Sequence, residues 1–172
     1  MCSERLLLLL AFTTAVSAVH YEDCGSAYEL VSVNIGGCQL GLPCFVTLGA
    51  SVPVNIEFKT TDTACSRLHQ DVVININFLN LRPQISPERY DSLICPLTTN
   101  SVSRLTSVMS LPRSIAVNQR GHLRWRVEDQ HGRQVVCYTV LVQTQSSLQT
   151  FIRDLFHNPN LNDTTNAAGP EA

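Results

Sequence analysis

The chain has 172 residues, 44% of them hydrophobic and 15% charged, with Lys+Arg 12 against Asp+Glu 14 and a formal net charge of −2. That length predicts a single domain with a sizeable core. The balanced charge excludes the broad basic field that nucleic acid binding requires.

The first element is a leader. Arg5 precedes an apolar run from Leu6 to Phe12, and small residues follow to Val16-Ser17-Ala18. This is the pattern of a secretory signal peptide cut after Ala18, and the run is too short to span a bilayer. Residues 1–18 are therefore set apart from the fold, and no later stretch reaches about 18 apolar residues. Of the seven cysteines, Cys2 falls in the leader. Cys24, Cys38, Cys44, Cys65, Cys95 and Cys137 remain. An even number in an exported chain predicts three disulfides, while spacing alone leaves their pairing open. Paired zinc-ligand spacing is absent, the histidines are scattered, and no metal or cofactor is expected.

Strands dominate from Glu29 onward. Val31, Val33 and Ile35 alternate up to the stop at Gly36-Gly37, and Pro43 and Gly49 mark further turns. Val52, Val54, Ile56 and Phe58 alternate with Pro53, Asn55, Glu57 and Lys59, which predicts a half-buried strand. Val72, Ile74, Ile76 and Phe78 repeat the pattern. Residues 80–92 read as a loop, because Pro83 and Pro87 rule out a central strand. The stretch from Leu105 to Val117 is mixed, with an edge or bend at Leu111-Pro112. Leu123, Trp125 and Val127 form one face of a strand, Asp129 to Gly132 a hairpin turn, and Val136, Tyr138, Val140 and Val142 the return.

Strands at this spacing without intervening amphipathic helices predict an all-β antiparallel sandwich or barrel over residues 19–145. Helix is expected only over 146–157, where Leu148, Phe151, Ile152, Leu155 and Phe156 fall on one stripe. It reads as a short helix docked on the sandwich, or else as a lid or membrane-surface contact. Residues 158–172 read as a disordered tail carrying the sequon Asn162-Asp163-Thr164, which makes Asn162 a glycosylation candidate.

Several blocks together carry a resemblance. They are Asp23-Cys24-Gly25-Ser26; the close pair in Cys38-Gln39-Leu40-Gly41-Leu42-Pro43-Cys44; Val54-Asn55-Ile56-Glu57-Phe58; Cys95-Pro96; and Trp125 to Asp129 (W-x-x-x-D) before Cys137-Tyr138. In that order they resemble the ML (myeloid-differentiation-2-related lipid-recognition) family, and within it the Niemann–Pick type C2 branch, over about residues 21–144.

The resemblance implies an immunoglobulin-like sandwich of two antiparallel sheets with an apolar ligand cavity between them. It implies disulfides Cys24–Cys137 and Cys38–Cys44. Cys65–Cys95 would be a departure, since the family places the partner of the C-P cysteine a few residues before it. The family's Pro- and Gly-rich stretch is also missing, replaced by Asn77 to Pro83, which bears on sterol selectivity more than on lipid binding.

Residues predicted to line the cavity come from each strand in turn. The first two supply Ile35, Val54, Ile56 and Phe58, and the next Val72, Ile74, Ile76 and Phe78. Leu111, Ile115 and Val117 follow from the mixed stretch, then Trp125, Tyr138, Val140 and Val142 from the closing hairpin.

What the resemblance implies about function is a secreted carrier of one sterol or related lipid, monomeric. It would meet membranes or an acceptor protein in transient contacts, outside the cell or in the endosomal or lysosomal lumen. The alternative is an innate-immune accessory that binds microbial glycolipid. No nucleophile elbow, metal motif or paired acid–base constellation supports an enzyme. His131 reads as a turn residue and Arg113 as a surface arginine, or as a contact for an anionic headgroup.

Overall fold

A computed structural model describes residues 19–38, 43–61, 65–91, 95 and 97–157. The leader, the C-terminal tail and Asn162 lie outside the described residues. The strands are β1 (Glu22–Asp23), β2 (Glu29–Ile35), β3 (Cys44–Thr47), β4 (Ser51–Lys59), β5 (Leu68–Ile76), β6 (Leu79–Leu81), β7 (Gln84–Ser86), β8 (Arg89–Tyr90), β9 (Val102–Ser110), β10 (Arg120–Asp129) and β11 (Gln134–Gln145); α1 spans Ser147–His157. They form two sheets. One runs β1-β11-β10-β5-β6, with β3 added on β11 and β8 on β5; the other runs β2-β4-β9-β7. All pairings are antiparallel except β3, which runs parallel to β11 from Val142↔Cys44 to Gln145↔Thr47.

Alternation builds the core, because successive side chains on a strand point to opposite faces. Val54, Ile56 and Phe58 of β4 face Val72, Ile74 and Ile76 of β5, Leu123, Trp125 and Val127 of β10, and Val136, Tyr138, Val140 and Val142 of β11 across the sandwich, all buried. Trp125 lies stacked beside Tyr138 with centroids 6.1 Å apart, and Tyr28 stacks on Phe58 at 5.7 Å. Each large side chain buried in this way contributes roughly 1.5–3 kcal/mol.

Three sequence expectations need correction. Val31 does not share the inner face with Val33 and Ile35: the β2–β4 register shifts between Leu30 and Ser32, and Val31 is exposed. A bulge places an extra residue on one strand and turns its side chain away from the core. Phe78 is fully exposed, because β5 ends at Ile76 and pairs with Leu79 across a two-residue turn. Asn77 and Phe78 both have positive φ, 46° and 68°, as a type I′ hairpin turn requires. Residues 80–92 are not a plain loop; they contain the short strands β6, β7 and β8. All three sit at sheet edges, where Pro83 and Pro87 cost no ladder hydrogen bond.

Candidate functional site

The segment from Leu79 to Tyr90 wraps one side of the sandwich. It pairs with β5 in one sheet as β6, crosses at Arg82-Pro83 to pair with β9 in the other as β7, and returns to β5 as β8. Under this wrap lies a cleft of about 520 Å³, open to solvent. Its walls include Gln70, Asp71 and Val72 of β5, Gln84, Ile85 and Ser86 of β7, and Val108 of β9. The volume lies within the range of about 300–1,000 Å³ usual for small-molecule sites.

A buried polar network anchors the cleft. Gln70 is one of the few polar side chains in the core. Its Nε2 donates to the Pro87 carbonyl at 2.7 Å and to Ser107 Oγ at 2.8 Å; its Oε1 accepts from Trp125 Nε1 at 3.0 Å. Tyr90 OH lies 2.8 Å from Ser107 Oγ. The network therefore ties β5 and β10 of one sheet to β9 of the other and to the wrap. On the outer side, Asp71 accepts from Arg82 Nη1 and from Arg126 Nη2, each at 2.6 Å. A buried amide with its groups paired fixes geometry, whereas an unpaired one costs about 1–3 kcal/mol.

One interior hydroxyl has no such partner. Tyr138 is fully buried and its OH makes no hydrogen bond among the described residues. Burial pushes its pKa well above the ordinary tyrosine value, so it stays a neutral donor.

The motifs behind the resemblance are structural. Asp23 Oδ1 accepts from Gly25 N at 2.7 Å and from Ser26 N at 2.9 Å, closing a turn that has Gly25 at φ 104°. Ser26 Oγ then accepts from Cys137 N at 2.9 Å, seating the turn beside Cys24–Cys137. Asp129 accepts from the backbone of His131 and Arg133 at 2.9 and 3.0 Å and from Arg133 Nε at 3.0 Å. Burial would raise the Asp129 pKa, but these hydrogen bonds outweigh it and hold the carboxyl below its ordinary value. His131 is thus a turn residue.

The disulfides join Cys24–Cys137, Cys38–Cys44 and Cys65–Cys95, with Cα separations of 5.0, 4.7 and 5.3 Å, all suited to bridging. No group of three His, Cys, Asp or Glu among the described residues is placed to hold a metal.

Of the predicted lining residues, Ile35, Val54, Ile56, Phe58, Val72, Ile74, Ile76, Leu111, Trp125, Tyr138, Val140 and Val142 are buried between the sheets. Ile115 packs partly against them. Phe78 and Val117 lie outside, Phe78 at the hairpin tip and Val117 in the loop before β10. Only Val72 of the set also borders the cleft. Gln70, Ile85, Ser107 and Val108 were missed. Gln70 and Ser107 had a signal: each occupies an inward position of an alternating strand, where a polar residue needs a buried partner. Ile85 had none, because it sits between two prolines in a segment read as loop.

A family model described as the ML domain matches residues 18–144. The pig (Sus scrofa) NPC intracellular cholesterol transporter 2 is 25% identical over 149 residues, 82% of this chain and 95% of that protein. The crystal structure of a Niemann-Pick type C2 protein from Japanese carpenter ant superposes with a TM-score of 0.60 at 14% identity, covering 73% of this chain and 99% of that one. With the family model spanning most of the two-sheet sandwich, the chain belongs to the ML domain family.

Proposed function

We propose that this protein is a lipid carrier that holds one sterol or related hydrophobe between its sheets and exchanges it with a membrane or an acceptor protein. The reading is carried by family membership joined to one observation: the wrap from Leu79 to Tyr90 bridges the two sheets over a cleft bordered by core residue Val72. A ligand would enter beneath the wrap and spread the facing side chains of β4, β5, β10 and β11. Burial of its apolar surface, at about 25 cal/mol per Å², supplies the affinity. The Tyr138 hydroxyl, buried without a partner among the described residues, is suited to meet a single polar group of the ligand. The pig relative is by name a cholesterol transporter, which favours sterol as the first ligand to try. Three disulfides suit a secreted or lumenal setting. Among the described residues no helix is long and apolar enough to cross a membrane.

Native mass spectrometry of the secreted protein, with extraction and identification of the co-purifying lipid, tests this. One sterol-sized or single-lipid adduct per chain is expected. A ligand-free protein that takes up neither sterol nor phospholipid from vesicles refutes carriage, and selective uptake of bacterial lipid A would move the chain to glycolipid recognition.

A further inference from the structure

The helix α1 lies beyond the residues that the family model matches, and it is attached the wrong way round for an ordinary amphipathic helix. Ser146 and Gln149 cap its start reciprocally: Gln149 N donates to Ser146 Oγ at 3.2 Å and Ser146 N to Gln149 Oε1 at 2.8 Å. The face that meets the sandwich is polar. Thr150 Oγ1 lies 2.8 Å from Thr47 Oγ1, and Arg153 Nη1 donates to Gln145 Oε1 at 3.0 Å while its guanidinium covers the Phe45 ring at 4.9 Å. Gln149 Nε2 donates to Asn118 Oδ1 at 3.0 Å. The apolar stripe points the other way: Leu148, Phe151, Ile152 and Phe156 are 66%, 60%, 44% and 82% exposed.

The same end of the sandwich presents further apolar surface. Asn77 hydrogen-bonds Gln119 beside the fully exposed Phe78, and Leu79 and Val117 are exposed next to them. The charge there is one-sided. Arg113, Arg120 and Arg153 lie at this end, where β10 starts, β11 ends and α1 packs, and Asp154, 3.8 Å from Arg153, is its one carboxylate among the described residues. The strand carboxylates Glu22, Glu57 and Asp71 stand four or more positions back along the sheets, by register with Thr139, Arg104 and Arg126.

We propose that this end is a docking surface for an anionic lipid bilayer. The helix would lie in the headgroup plane with Phe151, Ile152 and Phe156 inserted, and the exposed Arg113 and Arg120 would meet lipid phosphates and carboxylates, while Arg153 holds the helix to the sandwich. Exposed aromatic side chains with cations around them are what an interfacial helix needs, and each basic residue near an anionic surface adds attraction. The surface rests on the carriage reading and deepens its exchange with a membrane, but it would bind vesicles whether or not a lipid lies between the sheets.

Flotation with phosphatidylcholine vesicles, with and without phosphatidylserine, tests it on the full chain. Roughly tenfold or stronger binding to the phosphatidylserine vesicles is expected, weakening with salt. The double variant Phe151→Glu/Phe156→Glu should lose vesicle binding while keeping its thermal midpoint and its co-purifying lipid. Arg113→Ala/Arg120→Ala should lose only the preference for phosphatidylserine. Unchanged binding by the double glutamate variant overturns the proposal, as does a wild type that ignores both vesicles. A dimer that the glutamate variant turns into monomer also overturns it, by making a second copy the occupant. Loss of co-purifying lipid with vesicle binding intact would instead count against carriage.

Discussion

Asp129 shows how one carboxylate organises a turn. Its oxygens take two backbone N–H groups and the Arg133 guanidinium, and Gly132 at φ 75° lets the chain reverse beneath them. Because its pKa is depressed in the folded chain, its contribution to stability is complete above the ordinary carboxyl range, near pH 4, and drains away as the pH falls through the lower folded value. Asp23 acts in the same sense: burial opposes its ionisation, but the Ser26 and Gly25 N–H groups prevail. Urea unfolding followed from pH 6 to pH 2 is expected to show stability falling below about pH 4. Asp129→Asn should flatten part of that fall and cost about 1–3 kcal/mol at neutral pH, since the amide replaces a charged acceptor. A wild-type midpoint indifferent to acid would contradict this account.

At the scale of elements, the close approach of β5 and β10 is what positions the Trp125–Gln70 pair. Gly121 lies opposite Ile76 in this pairing, and a Cβ there would meet the Asn75 carbonyl oxygen at 2.2 Å and Ile76 Cγ1 at 2.6 Å. Gly121→Ala must push the strands apart near the Asn77–Phe78 turn. A loss of about 1–3 kcal/mol is expected, read as a lower denaturation midpoint, with the Trp125 fluorescence of the native state little changed because Trp125 lies four positions along the strand. The wrap from Leu79 to Tyr90 behaves differently. Its strands are two or three residues long, so it depends on the Arg82–Asp71 ion pair and on Gln70 for its position. Segments with so few ladder bonds open at low free energy, which suits the lipid entry beneath the wrap that we propose.

For the whole molecule, the Cys24–Cys137 bridge ties the first strand to the last across a sequence separation of 113. A loop that long makes the bridge worth about 4–5 kcal/mol in the chain-entropy model, and Cys24→Ser/Cys137→Ser should lower the unfolding free energy by about 2–5 kcal/mol in urea titrations. Equal stability of the two forms would mean that the β1–β11 pairing and the Asp23–Ser26 turn hold these strands together without the bridge. The inward faces of β4, β5, β10 and β11 were legible in the sequence, as was the helical stripe from Leu148 to Phe156. Alternation and helical period are local, set by where each backbone unit points its side chain. The ordered cysteine and Trp125–Asp129 blocks likewise carried the family. Which face of the helix met the sandwich was decided only in three dimensions. Thr47, Gln145 and Asn118 offered polar partners at its landing site, and they come from segments distant in the chain. The bulge at Leu30–Ser32, the exposure of Phe78, and the meeting of Gln70 with Ser107 and Trp125 arose the same way. Each depends on pairing or on packing between sheets, and no single strand's pattern contains that information.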